Sequence, residues 1–312
     1  MRHFRAVMSL LGIWILLGVG MVQAQTTVGA CGSAAGVPLG IGEYTLEWDG
    51  LTREYILYIP ASYDAAQPVP LVLSLHGFAS SPRQQMGFSA WNEVADAENI
   101  IVAYPAGTGL LLRWNSGLFA EAANGSVDDV SFLTGLIDHL AETYCIDTTR
   151  VYINGLSNGG GMSYRYACEM ADRVAAFGGV AGAYSAIPGG CDPSQPVPVI
   201  LFHGTDDPIV PYAGGDEMGG FPALTDFAAD WAERDECAAE PETISGLPES
   251  VEAVRYTGCA DNVLVEFYTL LGGGHTWSGS GVAIPRIIAG ETNRDIEASE
   301  IMWAFFEQYQ RN

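Results

Sequence analysis

Two kinds of hydrophobic pattern alternate along the chain. Residues 44–48 and 53–59 alternate apolar with polar side chains around Asp49-Gly50, which predicts a β-hairpin. Val69–Leu75 and residues 100–104 are instead unbroken apolar runs, as strands covered on both faces of a parallel sheet require. Between them, residues 84–98 have helical spacing through Met86, Trp91, Val94 and Ala95. A second helix is predicted over 127–144, with Phe132, Leu133, Leu136, Ile137 and Leu140 on one face and Ser126 with Asp129 as its capping box. A strand ending at Ser157, a helix from 158 to about 170 and strands at 177–182 and 197–202 follow. A helix at 223–234, a last strand at 263–268 and a closing amphipathic helix at 295–309 complete the order. This alternation predicts an α/β fold in one domain, a mostly parallel sheet with helices on both faces. The loops 105–126 and 207–222, rich in glycine and proline, fall at strand ends, where open α/β sheets hold their ligands. They are the expected pocket walls.

The first 24 residues stand apart from this pattern. Arg2 and Arg5 precede an apolar run from Ala6 to Val22, and Val22-Gln23-Ala24 is a cleavage tripeptide, so 1–24 reads as a signal peptide and 25–312 as the folded domain. Its removal would take away two arginines and no acid from a chain of net charge −24 that contains no lysine. Such a surface repels nucleic acid and anionic membranes and tolerates a neutral substrate. All six cysteines (Cys31, Cys145, Cys168, Cys191, Cys237, Cys259) follow the signal, and an even count in an exported chain predicts three disulfides without fixing their pairing. The expectation is a secreted protein, extracellular or periplasmic, monomeric and without stable membrane association.

The chemistry centres on Gly155-Leu156-Ser157-Asn158-Gly159, a G-x-S-x-G pattern between a strand and a helix. A tight turn there lifts a serine oxygen clear of the sheet, and glycine on either side avoids a Cβ clash across the turn. Serine needs a base, and the base needs a carboxylate to orient it. Of five histidines, His3 lies in the signal, His139 within a helix, and His76 and His203 each close a strand in a His-Gly pair with a structural role. His275, on the glycine loop 271–277 near the C-terminus, is the base by position. Asp206 and Asp207 both follow a buried strand, and spacing does not choose between them. The oxyanion hole is assigned to the backbone N–H groups of Asn158 and Phe78. Trp114, Asn115 and Trp277 sit on loops beside the expected site, where the aromatics either contact substrate or anchor their loops.

Leu75-His76-Gly77-Phe78, Val127-Asp128-Asp129-Val130-Ser131-Phe132-Leu133, the Ser157 segment, His203-Gly204-Thr205-Asp206-Asp207-Pro208 and Gly273-Gly274-His275-Thr276-Trp277 occur in an order that spans about residues 40 to 310. In this they resemble the α/β-hydrolase group of polyhydroxybutyrate depolymerase-like esterases and feruloyl or acetylxylan esterases. The resemblance implies a serine esterase that needs no metal and no organic cofactor. It points to Asp207, the acid before the proline, as the partner of His275. It also implies the pairs Cys168–Cys191 and Cys237–Cys259, leaving Cys31 with Cys145. Feruloyl and other plant-polysaccharide esters, hydroxyalkanoate polyesters and their oligomers are the implied substrates. A non-catalytic binding protein on the same fold is the rival class, and loss of a triad residue would mark it.

Overall fold

A computed structural model describes residues 31–32, 36–117, 127–216, 220–282 and 284–311. The segment read as a signal peptide lies outside the described residues. Among the described residues ten strands form one sheet: β1 (Gly40–Trp48), β2 (Leu51–Ile59), β3 (Val69–Leu75), β4 (Ile101–Pro105), β5 (Ile146–Leu156), β6 (Ala176–Val180), β7 (Val199–Gly204), β8 (Glu242–Thr243), β9 (Val251–Tyr256) and β10 (Val265–Leu270). Their spatial order is β1-β2-β4-β3-β5-β6-β7-β10-β9-β8. The six from β4 to β10 run parallel, and an antiparallel pair borders each edge. Every residue of β3 and β4 is buried, as two covered faces demand. The hairpin β1–β2 turns through Asp49 and Gly50, both at positive φ (49° and 75°), the conformation a two-residue turn needs to match strand twist.

Among the described residues there are seven α-helices: α1 (Pro82–Ser89), α2 (Trp91–Glu98), α3 (Asp129–Thr143), α4 (Asn158–Glu169), α5 (Leu224–Arg234), α6 (Arg286–Ala289) and α7 (Ala298–Phe306). On one face Phe132 and Leu136 of α3 and Met162 and Tyr166 of α4 share a core with Leu71, Leu73 and Ile153, and Trp231 of α5 extends it against Phe177 of β6. On the other, Trp91 and Val94 of α2 and Met302 and Phe306 of α7 pack on Val72, Tyr152 and Ile200. Alternate residues of one strand thus serve two cores, because strand side chains point to opposite faces. Three disulfides, Cys31–Cys145 just before β5, Cys168–Cys191 from the last turn of α4 and Cys237–Cys259 between the loops after α5 and β9, are the pairs implied by the resemblance.

The structure departs from the sequence pattern in several places. The helix expected over 84–98 is two helices, broken at Ala90 with φ 52° and ψ 22°. The break lets α1 lie along a surface cavity while α2 sends Trp91 into the core, its indole N–H donating to Asn154 at 3.2 Å. The cap of α3 is Asp128, whose side chain accepts from the Ser131 N–H at 2.9 Å, and Ser126 lies outside the described residues. Strands β8 and β9 and the short helix α6 were not legible. β9 borders β10 but is covered irregularly, so its burial follows no clean period. Strands expected at 197–202 and 263–268 each sit two residues further on, at Val199–Gly204 and Val265–Leu270.

Candidate active site

Ser157 stands between β5 and α4 with φ 55° and ψ −117°, a conformation that L-residues rarely adopt. Small neighbours make this turn possible. A Cβ on Gly155 would lie 2.3 Å from the Gly159 carbonyl carbon, and one on Gly159 would lie 2.3 Å from the Leu75 carbonyl oxygen. The turn is braced by backbone bonds from the Ser157 N–H to Val180 (3.0 Å) and from the Ala183 N–H to Ser157 (3.0 Å). Its energetic cost is therefore offset by β6 and the residues that follow it. The end of β3 lies against the same turn, since a Cβ on Gly77 would stand 3.4 Å from that of Ser157.

Two loops at the carboxyl ends of β7 and β10 meet across from this serine. The His275 Nδ1 faces the Asp207 carboxylate at 2.8 Å (Oδ2), while the other oxygen of Asp207 accepts the N–H groups of Ile209 and Val210, each at 2.8 Å. His203 approaches the same carboxylate through Nε2 at 3.2 Å and the Val210 carbonyl at 2.9 Å. Facing two acceptors, that nitrogen carries the proton. Burial alone would raise the Asp207 pKa, but the hydrogen bonds from His203 and His275 outweigh it and hold the carboxyl well below the usual range. Asp206 is exposed and bonded through its backbone to Gly273 at 2.9 Å. The structure therefore brings Asp207, and not Asp206, to His275.

His275 is itself positioned by a segment that sequence patterning passed over. Its N–H donates to the Ala289 carbonyl at 2.5 Å, and the Gly274 N–H donates to Glu291 at 2.7 Å. Residues 284–289 also wall a cavity of about 770 Å³ that Ser157 and His275 both line. Phe78, Phe88, Leu156, Ile209, Val282 and Ile288 give this cavity a mostly apolar surface. The expected walls differ from the observed ones. Among the described residues, loop 207–222 supplies Ile209 alone and 105–117 lines none of it.

Trp114 and Trp277, expected beside substrate, belong to the scaffold. Trp114 is 0% exposed and donates its indole N–H to the His76 carbonyl at 3.0 Å; Trp277 is 1% exposed and donates to Ser299 at 3.1 Å. A large apolar ring with a satisfied N–H is more stable packed than facing a water-filled cavity. Asn115 likewise works as a fastener, its side-chain amide on the Val127 carbonyl (3.0 Å) and its N–H on Asp129 (2.8 Å). Asn158 stitches the same loop to the start of α4, accepting from the Trp114 N–H at 2.7 Å and donating to Ser116 at 2.8 Å.

Sequence reasoning missed Arg53. It pairs with Asp129 at 2.7 Å in full burial and also holds the Ala106 carbonyl at 3.0 Å. An arginine in an otherwise alternating strand was the available signal. His76 is buried between the Gly77 carbonyl (2.7 Å) and the Gly107 N–H (2.9 Å), and desolvation lowers its pKa to about 4. It is a neutral strut beside the site.

A family model described as phospholipase/carboxylesterase matches residues 62–223. The chain is 32% identical to feruloyl esterase B of Piromyces equi over 72% of its own length and 42% of that protein. It is 28% identical to a bifunctional acetylxylan esterase/xylanase of Neocallimastix patriciarum, over 78% of its own length and 33% of that protein. The chain thus spans well under half of these two relatives. A probable feruloyl esterase C of Aspergillus terreus is 27% identical across 96% of this chain and 98% of its own. Among solved structures, an acetyl xylan esterase from Aspergillus awamori superposes with a TM-score of 0.57 at 16% identity, covering 75% of this chain and 94% of that one. That likeness is one of fold.

Proposed function

The chain belongs to the phospholipase/carboxylesterase family of α/β hydrolases, and from that premise we propose that it hydrolyses carboxylic esters through Ser157, His275 and Asp207. The observation that carries this reading is a serine held at φ 55° on a strand-to-helix turn, opening into the same cavity as a histidine bonded to a buried carboxylate. In the proposed reaction, Ser157 Oγ attacks the ester carbonyl carbon while His275 takes its proton through Nε2. Asp207 keeps the other imidazole nitrogen protonated and stabilises the imidazolium that forms. The carbonyl oxygen gains charge beside the N–H groups of Phe78 and Asn158. Collapse of the tetrahedral intermediate releases the alcohol, which leaves with the proton from His275. Water, deprotonated by the same histidine, then cleaves the acyl-enzyme to the free acid.

The apolar cavity supports an acyl group larger than acetyl, and the named relatives support hydroxycinnamoyl esters on polysaccharide. A second reading, hydrolysis of hydroxyalkanoate polyester, draws on the cavity rim, where Phe78 is 42%, Ile288 58% and Ile287 95% exposed. Export is supported by the pattern of residues 1–24 and by the three disulfides. Among the described residues no helix is long and apolar enough to cross a membrane.

The test is initial rates on p-nitrophenyl acetate, p-nitrophenyl butyrate, methyl ferulate and a hydroxybutyrate oligomer, with Ser157→Ala alongside. Loss of about 10⁴-fold or more in the variant is the expected result. A ranking led by methyl ferulate supports the hydroxycinnamoyl reading, and one led by the oligomer supports the polyester reading. Hydrolysis that survives in Ser157→Ala overturns the mechanism, and a wild type inert on all four leaves the binding-protein alternative.

A further inference from the structure

Two buried histidines share the Asp207 carboxylate, and the proposed reaction uses only one of them. His275 reaches Oδ2 through Nδ1 at 2.8 Å. His203, in β7 and 1% exposed, reaches the same oxygen through Nε2 at 3.2 Å. The Val210 carbonyl accepts from the same nitrogen at 2.9 Å. A role confined to tying this strand end to its loop needs only the bond to Val210. The contact with Oδ2 does something more. It falls on the oxygen that faces His275 and not on Oδ1, which the Ile209 and Val210 N–H groups already satisfy.

The rest of the His203 ring is closed in. Its Nδ1 is buried without a hydrogen-bond partner among the described residues. A second proton would place a charged, buried N–H there with no acceptor, which the form protonated on Nε2 alone avoids. Tyr212 stands beside the ring with centroids 6.3 Å apart, and its hydroxyl is bonded to Thr269 at 2.9 Å.

We infer that His203 is a positioning residue of the ester-hydrolase site, whose Nε2–H draws on the charge of Asp207 Oδ2 and weakens that oxygen as an acceptor for His275. A weaker acceptor stabilises the His275 imidazolium less, so the base is free to take the Ser157 proton at lower pH. No bond forms or breaks at His203, and its proton stays on Nε2 throughout. The inference rests on the ester-hydrolase reading above and adds to it the group that sets its acidic limit. Other charged groups near the site leave this comparison untouched. Asp206 faces solvent, Arg83 on the cavity wall pairs with Glu43, and Arg286 of α6 pairs with Glu291 at 2.5 Å.

The experiment is the pH profile of kcat/KM on p-nitrophenyl butyrate for wild type, His203→Met and His203→Gln, with circular dichroism to verify folding. Methionine lacks the donor, whereas the glutamine amide N–H can replace Nε2–H. The expected acid limb lies about one pH unit higher in His203→Met, a change of about tenfold in proton affinity, and close to wild type in His203→Gln. A uniform loss of rate with an unmoved limb overturns the proposal, as does a limb moved to lower pH or moved equally in both variants. If the wild type does not hydrolyse the ester, the ester reading has failed and the same midpoint is read from the His275 ring resonances by NMR. An upward shift in His203→Met then supports the coupling, and its absence overturns it. Should the variants fail to fold, long-range 1H–15N spectra of the wild type decide. His203 protonated on Nε2 alone while His275 titrates supports the proposal; a proton on Nδ1 overturns it.

Discussion

The Ser157 turn and the segment 281–289 face each other across one cavity, yet they are built in opposite ways. Around Ser157 the backbone of β3 and α4 approaches so closely that a single added Cβ would strike main-chain atoms. Across the cavity, Val282, Ile287 and Ile288 stand exposed on a stretch that contains one short helix. The serine side has no slack, as the proposed mechanism requires of a fixed attacking atom. The opposite wall has room to change its side chains, and on the proposed reading it selects the acyl group. Loop 106–117 belongs with the fixed side, since Arg53, Asp129 and Asn158 hold it from beneath.

The largest effect that would break this comparison lies at the fixed side. Asp207→Asn is expected to lower kcat about 10⁴-fold by removing the acceptor for His275 Nδ1, while Asp206→Asn changes it less than about threefold. Steady-state kinetics on p-nitrophenyl butyrate decides, and the reverse order would reassign the acid. Because the folded-state pKa of Asp207 lies below its unfolded value of 3.8, its ionisation stabilises the fold above that pH, and the gain is lost as pH falls. The same variant should therefore show a shallower loss of Tm on acidification.

Next in size is the buried pair beneath the loop. Asp129→Ala leaves the Arg53 guanidinium buried without its counterion and should cost about 3–5 kcal/mol in denaturant unfolding. A cost under 1 kcal/mol would mean that water reaches Arg53 and that the loop is not held from below.

The smallest change addresses the open wall. Gly87 on α1 faces Val282, and an added Cβ would meet its Cγ2 at 3.5 Å, an ordinary contact. Gly87→Leu should therefore fold and narrow the cavity, raising the preference for acetate over ferulate esters about tenfold, roughly what one or two methylenes decide in a pocket. An unchanged ratio would place the acyl group elsewhere.

What the sequence by itself determined follows from local rules. Unbroken apolar runs marked the parallel strands, because both faces are covered by helices. Asp49-Gly50 marked its turn through its backbone preference, and Gly155-Leu156-Ser157-Asn158-Gly159 marked its own through steric need. The resemblance of short motifs implied the choice of Asp207 and the three disulfide pairs. Tertiary structure decided everything that depends on which distant segments meet. Trp114 and Trp277 left substrate contact and loop anchoring both open, and only the fold chose the second, with His76 and Ser299 receiving their indole N–H groups inside the scaffold. Residues 284–289 have no strong period, yet they bond the His275 backbone and wall the cavity. Periodicity reports burial against the sheet, whereas a cavity wall is defined by the space it leaves open, and that space exists only once the chain has folded.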